Sequence, residues 1–233
     1  MTTINFSIFE KQIGVNFKDK NLLTQAFTHR SYVNENAKLP HGHNERLEFL
    51  GDAVLELIVT DYLYDNYQSQ NEGELTAYRS ALVNAVIISD VAVEIGMNDF
   101  LLLSKGESKD IGKARTYILA NTYEAFLGAL YLDQGYDIAR DFVLKTLVPK
   151  IVKIIKKKLY RDGKSLIQEK AQEVVGITPS YKVVSAIGPD HDKQFVIALY
   201  LGNELVAEGK GKSKQEAEQS AAREALEVKN WLD

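Results

Sequence analysis

The chain has 233 residues, 45% hydrophobic and 26% charged, enough apolar material for one large soluble domain or two ordinary ones. A net charge of −4 gives no global signature of a nucleic-acid binder, so any such binding has to come from local patches. The absence of cysteine excludes disulfides, thiolate zinc sites and cysteine nucleophiles.

The N-terminal MTTINFSIFEKQIG lacks a basic leader followed by a long apolar run, and nowhere is there an uninterrupted apolar stretch able to span a bilayer. A soluble, cytoplasmic protein with no membrane partner is expected. Through residue 157 the apolar residues recur at helical spacing, in INFSIFEKQIGV, NLLTQAFTHRSYV, RLEFLGDAVLELIVTDYLYDNY, ELTAYRSALVNAVIISDVAVEIG, TYILANTYEAFLGALYLDQG and YDIARDFVLKTLVPKIVKIIKKK. Gly and Asn clusters (NEGE, GMND, KGESKDIGKAR, DQGYD) separate them. Residues 1–157 therefore read as an all-α domain. A basic run followed by an Asp-Gly turn, in IIKKKLYRDGKS, gives a linker at 158–163. In the remainder, 164–233, SLIQEKAQEVVG opens with a capping box from Ser165 to Gln168. Three β-branched runs follow, SYKVVSAIG, KQFVIALYLG and ELVAEGKG, and a second capping box, Ser213 to Glu216, starts a final helix. This half reads as an α-β-β-β-α domain.

The segment NERLEFLGDAVLEL, residues 44–57, sorts its side chains unusually. With roughly 100° per residue and Glu45 at ~0°, Glu48 falls near ~300°, Asp52 near ~340° and Glu56 near ~20°. Leu47, Leu50, Val54, Leu57 and Ile58 lie opposite, and no Lys or Arg shares the acidic stripe, although each like-charged pair costs about 0.2–0.5 kcal/mol. A solvated face, a calcium site and a magnesium site compete to explain the stripe. Calcium would want a D-x-D-x-D-G loop, which is missing, whereas a magnesium site would hold clustered carboxylates on a helix. His41 and His43 lack a third ligand motif for zinc. Phe49, at about 40°, lies beside the carboxylates and calls for a covering surface from this domain or from a partner.

From Asp162 onward nine Lys and Arg face twelve Asp and Glu, yet Lys210, Lys212 and Lys214 alternate where the last strand meets the last helix. Unpaired N–H groups at that helix start suit phosphate. A merely soluble turn is the alternative.

The order helix, three strands, helix, together with GKGKSKQEAEQSAA, resembles the double-stranded-RNA-binding domain. That resemblance implies duplex contacts along one face. Ser165, Gln168, Glu169 and Gln172 would contribute from the first helix, Pro189 and His191 from the loop GPDH. Lys212, Lys214 and Gln215 would meet phosphates, with Gln215 standing where many members carry lysine. In the first domain, NERLEFLGDAVL resembles the ribonuclease III signature, supported by FKDKNLLTQAFTHRSY, NEGELTAYRSALVN and ANTYEAFLGALYLDQG. This resemblance implies an endoribonuclease acting on double-stranded RNA in rRNA and mRNA precursor processing, leaving 5′-phosphate and 3′-hydroxyl ends with short 3′ overhangs. It further implies Mg2+, with Mn2+ as a substitute, bound by Glu48, Asp52, Asn121 and Glu124, of which Asp52 and Glu124 are catalytic. Glu45 and Glu72 would line the catalytic valley, and Phe49 would be the peg of a homodimer. Glu56 receives no role beyond a solvated helix surface.

At position 121 the family pattern has aspartate and this sequence has asparagine. Three readings follow: a homologue that works with an amide ligand, a variant that traps uncut substrate, or a non-catalytic double-stranded-RNA-binding dimer.

Overall fold

The structure, a computed structural model, describes residues 4–36, 40–109, 112–189 and 193–232. The chain divides into two compact units, Met1–Val152 and Lys153–Asp233.

The first unit is helical: α1 (Phe6–Ile13), α2 (Lys20–Ala26), α3 (Arg30–Glu35), α4 (Glu45–Asn66), α5 (Glu72–Leu82), α6 (Ala85–Glu94), α7 (Lys113–Gln134) and α8 (Tyr136–Thr146). Short 3-10 turns lie at Met97–Phe100 and Glu107–Lys109, and α9 (Lys150–Lys156) runs across the division between the units. Three runs that read as continuous in periodicity are each split, the last of them at 147–149 between α8 and α9. Between α2 and α3 the backbone of Phe27 and His29 exchanges hydrogen bonds with Leu102, at 2.9 and 3.0 Å. Between α5 and α6, the Asn84 side chain accepts from the N–H groups of Val86 and Ile87, starting a new helix bent 48° from the one before. Among the described residues no single helix is long and apolar enough to cross a membrane.

α7 is the centre of this unit. From Ile118 to Leu130 it is buried on nearly every side, as suits a helix that is apolar all round. Phe126 of α7 sits in an aromatic cluster, 5.6 Å from Phe9, 5.4 Å from Phe17 and 5.0 Å from Phe142 between ring centroids. α4 lies against α7 with no side chain between them at one crossing. A Cβ on Gly51 would run into the Glu124 carbonyl, and one on Gly128 would run into the Leu47 carbonyl. Glycine in a helix interior is unfavourable by about 1 kcal/mol relative to alanine, so its use at both positions marks a backbone approach no other residue permits.

The α4 face toward the core carries Leu47, Gly51, Val54, Leu55, Ile58, Val59 and Leu63. Leu57, expected on that face, is exposed. Phe49 is 82% exposed, outside the core as the wheel anticipates.

The second unit comprises α10 (Gly163–Val175), the antiparallel strands β1 (Ser180–Ile187), β2 (Gln194–Leu201) and β3 (Glu204–Gly211) in that spatial order, and α11 (Lys214–Val228). Leu166, Ile167 and Ala171 of α10 share a core with Leu199 and Leu201 of β2 and with Ala221, Ala222, Ala225 and Leu226 of α11. The small alanine face lets β3 approach α11 so closely that a Cβ on Gly209 or Gly211 would meet α11 backbone. The glycines of GKGK thus seat the helix whose start carries the lysines. Asp162 and Gly163, read as a turn, are instead a helix start: the Asp162 carboxylate accepts from Ser165 N–H at 2.8 Å, and Ser165 lies inside the first turn. At α11 Ser213 caps as expected, accepting from Glu216 N–H, but the Glu216 carboxylate accepts from Lys212 N–H and not from Ser213.

Replacing Gly128 with Ala is expected to destabilise the first unit by about 1–3 kcal/mol or more through overpacking. Gly106→Ala, where the added Cβ would meet only Ser104 Oγ at 3.8 Å, should stay within about 0.5 kcal/mol. Urea unfolding of the two variants beside the native chain checks both.

Candidate functional site

The acidic stripe of α4 is resolved from both ends. Glu45 stands 3.7 Å from Arg30 and 3.6 Å from His43, and Glu56 is held at 3.0 Å by Arg79 of α5, which also donates to Thr60 Oγ1. Glu56 is therefore paired across elements and is not merely a solvated surface residue. Glu45 and Glu48 also occupy the first turn of α4, where the positive end of the helix dipole favours carboxylates.

The middle of the stripe faces α7. The Gly51–Gly128 crossing brings the turn carrying Glu48 and Asp52 against the turn carrying Asn121 and Glu124, one helical turn apart on α7. The contacts between these groups are electrostatic. Burial first, then Asp52 and Glu48, pushes the Glu124 carboxyl up to about 7. Glu48 is raised as well, by burial and then by Glu45 and Asp52, while the Asn121 amide opposes the rise by donating a hydrogen bond to it. Glu48, Asn121 and Glu124 are half-buried and Asp52 is exposed, so the cluster opens to solvent on the Asp52 side.

Glu72 lies elsewhere on the chain. It starts α5 and lines a cavity of about 500 Å³ with Thr60, Leu63, Tyr64 and Arg79. At a rise of 1.5 Å per residue, Thr60 is roughly 12 Å along α4 from Asp52, so within one chain Glu72 does not join the carboxylate cluster.

The donor set consists of oxygens only: carboxylates from Glu48, Asp52 and Glu124 and one amide carbonyl from Asn121. Among the described residues no three Asp, Glu, His or Cys side chains converge closely enough to enclose an ion in this arrangement. Hard oxygen donors and uncompensated negative charge fit a hard divalent cation such as Mg2+ or Mn2+.

In the second unit, Ser165, Gln168, Glu169 and Gln172 are all exposed on α10, at spacings that place them along one helical face. Glu169 is bound to Arg161 at 2.6 Å. The start of α10 is tied to α11: Asp162 meets the Gln219 amide, Gly163 N–H donates to Gln219 Oε1 at 2.9 Å, and Lys164 pairs with Glu218 at 2.6 Å. One turn earlier on α11 stand Lys214 and Gln215, exposed together with Lys210, Lys212 and Pro189. The latch fixes the α10 face and the basic start of α11 in one geometry. His191 lies outside the described residues.

Sequence reasoning missed the positioning residues Gly51, Gly128, Gly209 and Gly211, and the pairing role of Arg79. The available signal was glycine persisting inside helix-forming and strand-forming runs.

Residues 19–151 match the Ribonuclease-III-like family, and residues 164–229 match the double-stranded RNA binding motif. Curated relatives named Ribonuclease 3 from Bacillus cereus strain G9842 and Bacillus anthracis strain CDC 684 are each 46% identical over 221 residues, 95% of this chain and 90% of theirs. A solved nuclease domain of ribonuclease III from Campylobacter jejuni, described as showing structural flexibility in a region involved in dimer formation, superposes with a TM-score of 0.57. It is 38% identical, over 62% of this chain and 97% of that domain.

Because folding raises the Glu124 pKa from 4.5 to about 7, the native state holds that proton more tightly than the unfolded chain. Its contribution to stability is therefore present at low pH and lost as pH rises through that window. In metal-free buffer, unfolding followed between pH 4.5 and about 7 should show this decline, and Glu124→Gln should flatten it. An unchanged slope in the variant would assign the decline to other groups.

Proposed function

The chain belongs to the ribonuclease III family and is an endoribonuclease with a double-stranded-RNA-binding domain; from this we propose a Mg2+-dependent enzyme, active as a homodimer. It cuts RNA duplexes to 5′-phosphate and 3′-hydroxyl ends with short 3′ overhangs, in the maturation of rRNA and mRNA precursors in the cytoplasm. The observation that carries this reading is the meeting of Glu48 and Asp52 with Asn121 and Glu124 across the α4–α7 crossing, in a chain that also has a shape-reading RNA module.

Glu48 and Asp52 from α4, with Asn121 and Glu124 from α7, would hold the cation. When bound, the cation supplies an activated water at neutral pH and positive charge against the phosphate oxygens. The protein residues do the positioning. Without a cation, burial and the neighbouring acids push the Glu124 carboxyl up to about 7, and a bound cation would favour its ionised form. Asp52, at the open edge of the cluster, faces arriving phosphate. Arg30 beside Glu45 limits the repulsion that an acidic valley presents to a polyanion.

The RNA module supplies the affinity that the net charge withholds. Gln168 and Gln172 on one face of α10 suit ribose hydroxyls in a minor groove, and Lys212 and Lys214 suit the neighbouring phosphates. Phe49, almost wholly exposed, is a large apolar group without a cover in one chain and supports a self-complementary twofold contact, with Mn2+ serving as an alternative cation in either centre.

Incubation with a long RNA duplex and Mg2+ should give short duplex products with 5′-phosphates. Asp52→Asn should lower the cleavage rate by a factor on the order of 100 or more while leaving duplex binding in EDTA intact. Cleavage without divalent cation would contradict the assignment. Replacing Lys212 and Lys214 with Ala should weaken binding to all duplexes alike and reduce the salt slope by about one unit for each phosphate no longer neutralised. Phe49→Lys should shift the protein from dimer to monomer in sedimentation velocity; a dimer that persists would rule Phe49 out as the peg.

A further inference from the structure

Of the four exposed side chains along the α10 face, Ser165, Gln168 and Gln172 are neutral hydrogen-bonding groups. Glu169 is a carboxylate, which repels the phosphates of a duplex. With roughly 100° per residue and Ser165 at ~0°, Gln168 falls near ~300°, Gln172 near ~340° and Glu169 near ~40°, at one margin of the face. There Arg161 meets it, donating from Nη2 to Glu169 Oε2 at 2.6 Å. Arg161 precedes the helix, yet its side chain ends at mid-helix, since Glu169 lies roughly 9 Å along α10 from Gly163. The backbone path is held on both sides. The half-buried Arg223 of α11 donates to the carbonyls of Leu159 at 3.3 Å and Arg161 at 3.1 Å, and the next residue, Asp162, caps α10.

This placement does little for the helix. A cation at a helix start opposes the dipole, and the first turn of α10 carries no acid to offset it. A solvent-exposed ion pair adds little stability by itself. What the pair does accomplish is to bring a guanidinium to the margin of the α10 face and hold it there. The contact with Glu169 engages one of its five N–H donors, and a guanidinium matches the oxygens of a phosphate in a bidentate fork. We propose that Arg161 is a further phosphate-contacting residue of the RNA module, aimed by Glu169. The duplex footprint then extends past the margin of α10 onto the segment that reads in sequence as a linker. This rests on reading α10 as an RNA-facing helix. Glu169 is the positioning residue: it acts through Arg161, which also compensates the charge that a bare carboxylate would turn toward the duplex.

The test uses the full chain and a long RNA duplex in EDTA, with binding read by fluorescence anisotropy over a series of KCl concentrations. Arg161→Ala should weaken binding roughly three- to tenfold at moderate salt and lower the slope of log K against log salt by about one unit. Its thermal unfolding should stay within a few degrees of the native protein, as fits an exposed pair. Glu169→Gln should change affinity by less than about twofold in the native background. In the Arg161→Ala background, where the carboxylate is bare, the same change should recover about threefold. An Arg161→Ala protein with native affinity and native slope overturns the inference when replacing Lys212 and Lys214 with Ala lowers both. If neither replacement changes binding, the RNA-face reading itself falls and takes this inference with it. Weaker binding by Arg161→Ala with an unchanged slope also overturns it, because Arg161 would then only support the module. An equal effect of Glu169→Gln in both backgrounds overturns the positioning role of Glu169.

Discussion

Gly51 and Gly128 let α4 and α7 touch at their backbones, and the spacing of Glu48, Asp52, Asn121 and Glu124 follows from that approach. A methyl group at either position would push the helices apart, and the donors on the two helices would separate with them. α7 is buried along most of its length, so it serves both as the core of the first unit and as the rigid floor of the cluster. The half-burial of Glu124 follows from its place on this helix, and with it comes the elevated proton affinity.

The electrostatics of α4 follow from position in the same way. The four carboxylates of its acidic stripe are compensated selectively. Arg30 and His43 attend Glu45, and Arg79 attends Glu56, all from other elements. Glu48 and Asp52 lie beside α7, where both act electrostatically on Glu124 and the Asn121 amide acts on Glu48. Repulsion is thus concentrated at one place, which suits a centre that attracts a cation. The second unit uses a comparable device with opposite charge. Glycines at 209 and 211 and a row of alanines bring β3 and α11 together, and the lysines that alternate with those glycines are presented at the start of α11.

Much of this was legible in the sequence, for reasons that can be named. The acidic stripe, the exposed Phe49 and the order α-β-β-β-α are set by local periodicity and composition, which survive in any tertiary context. What periodicity could not give is the outcome of competition between local and distant partners. NLLTQAFTHRSYV is broken because Phe27 and His29 pair with Leu102, some seventy residues away in sequence. Leu57 leaves the core face because the helix turns Val59 and Leu63 inward in its second half. Glu56 finds Arg79 on another helix, and the helix start at Asp162 prevails because its carboxylate reaches Ser165 N–H and the Gln219 amide together. Glu72 shares no cluster with Glu48 within one chain, a separation invisible to any local pattern.

The central claim is that four oxygen-bearing side chains on two locked helices form one cation centre. Anomalous diffraction from crystals soaked in Mn2+ tests it most directly. Anomalous density is predicted between α4 and α7, within coordination distance of Asp52 and Glu124 and with the Asn121 carbonyl oxygen turned toward it. Anomalous density confined to other carboxylates, with the α4–α7 crossing empty at saturating Mn2+, would contradict it.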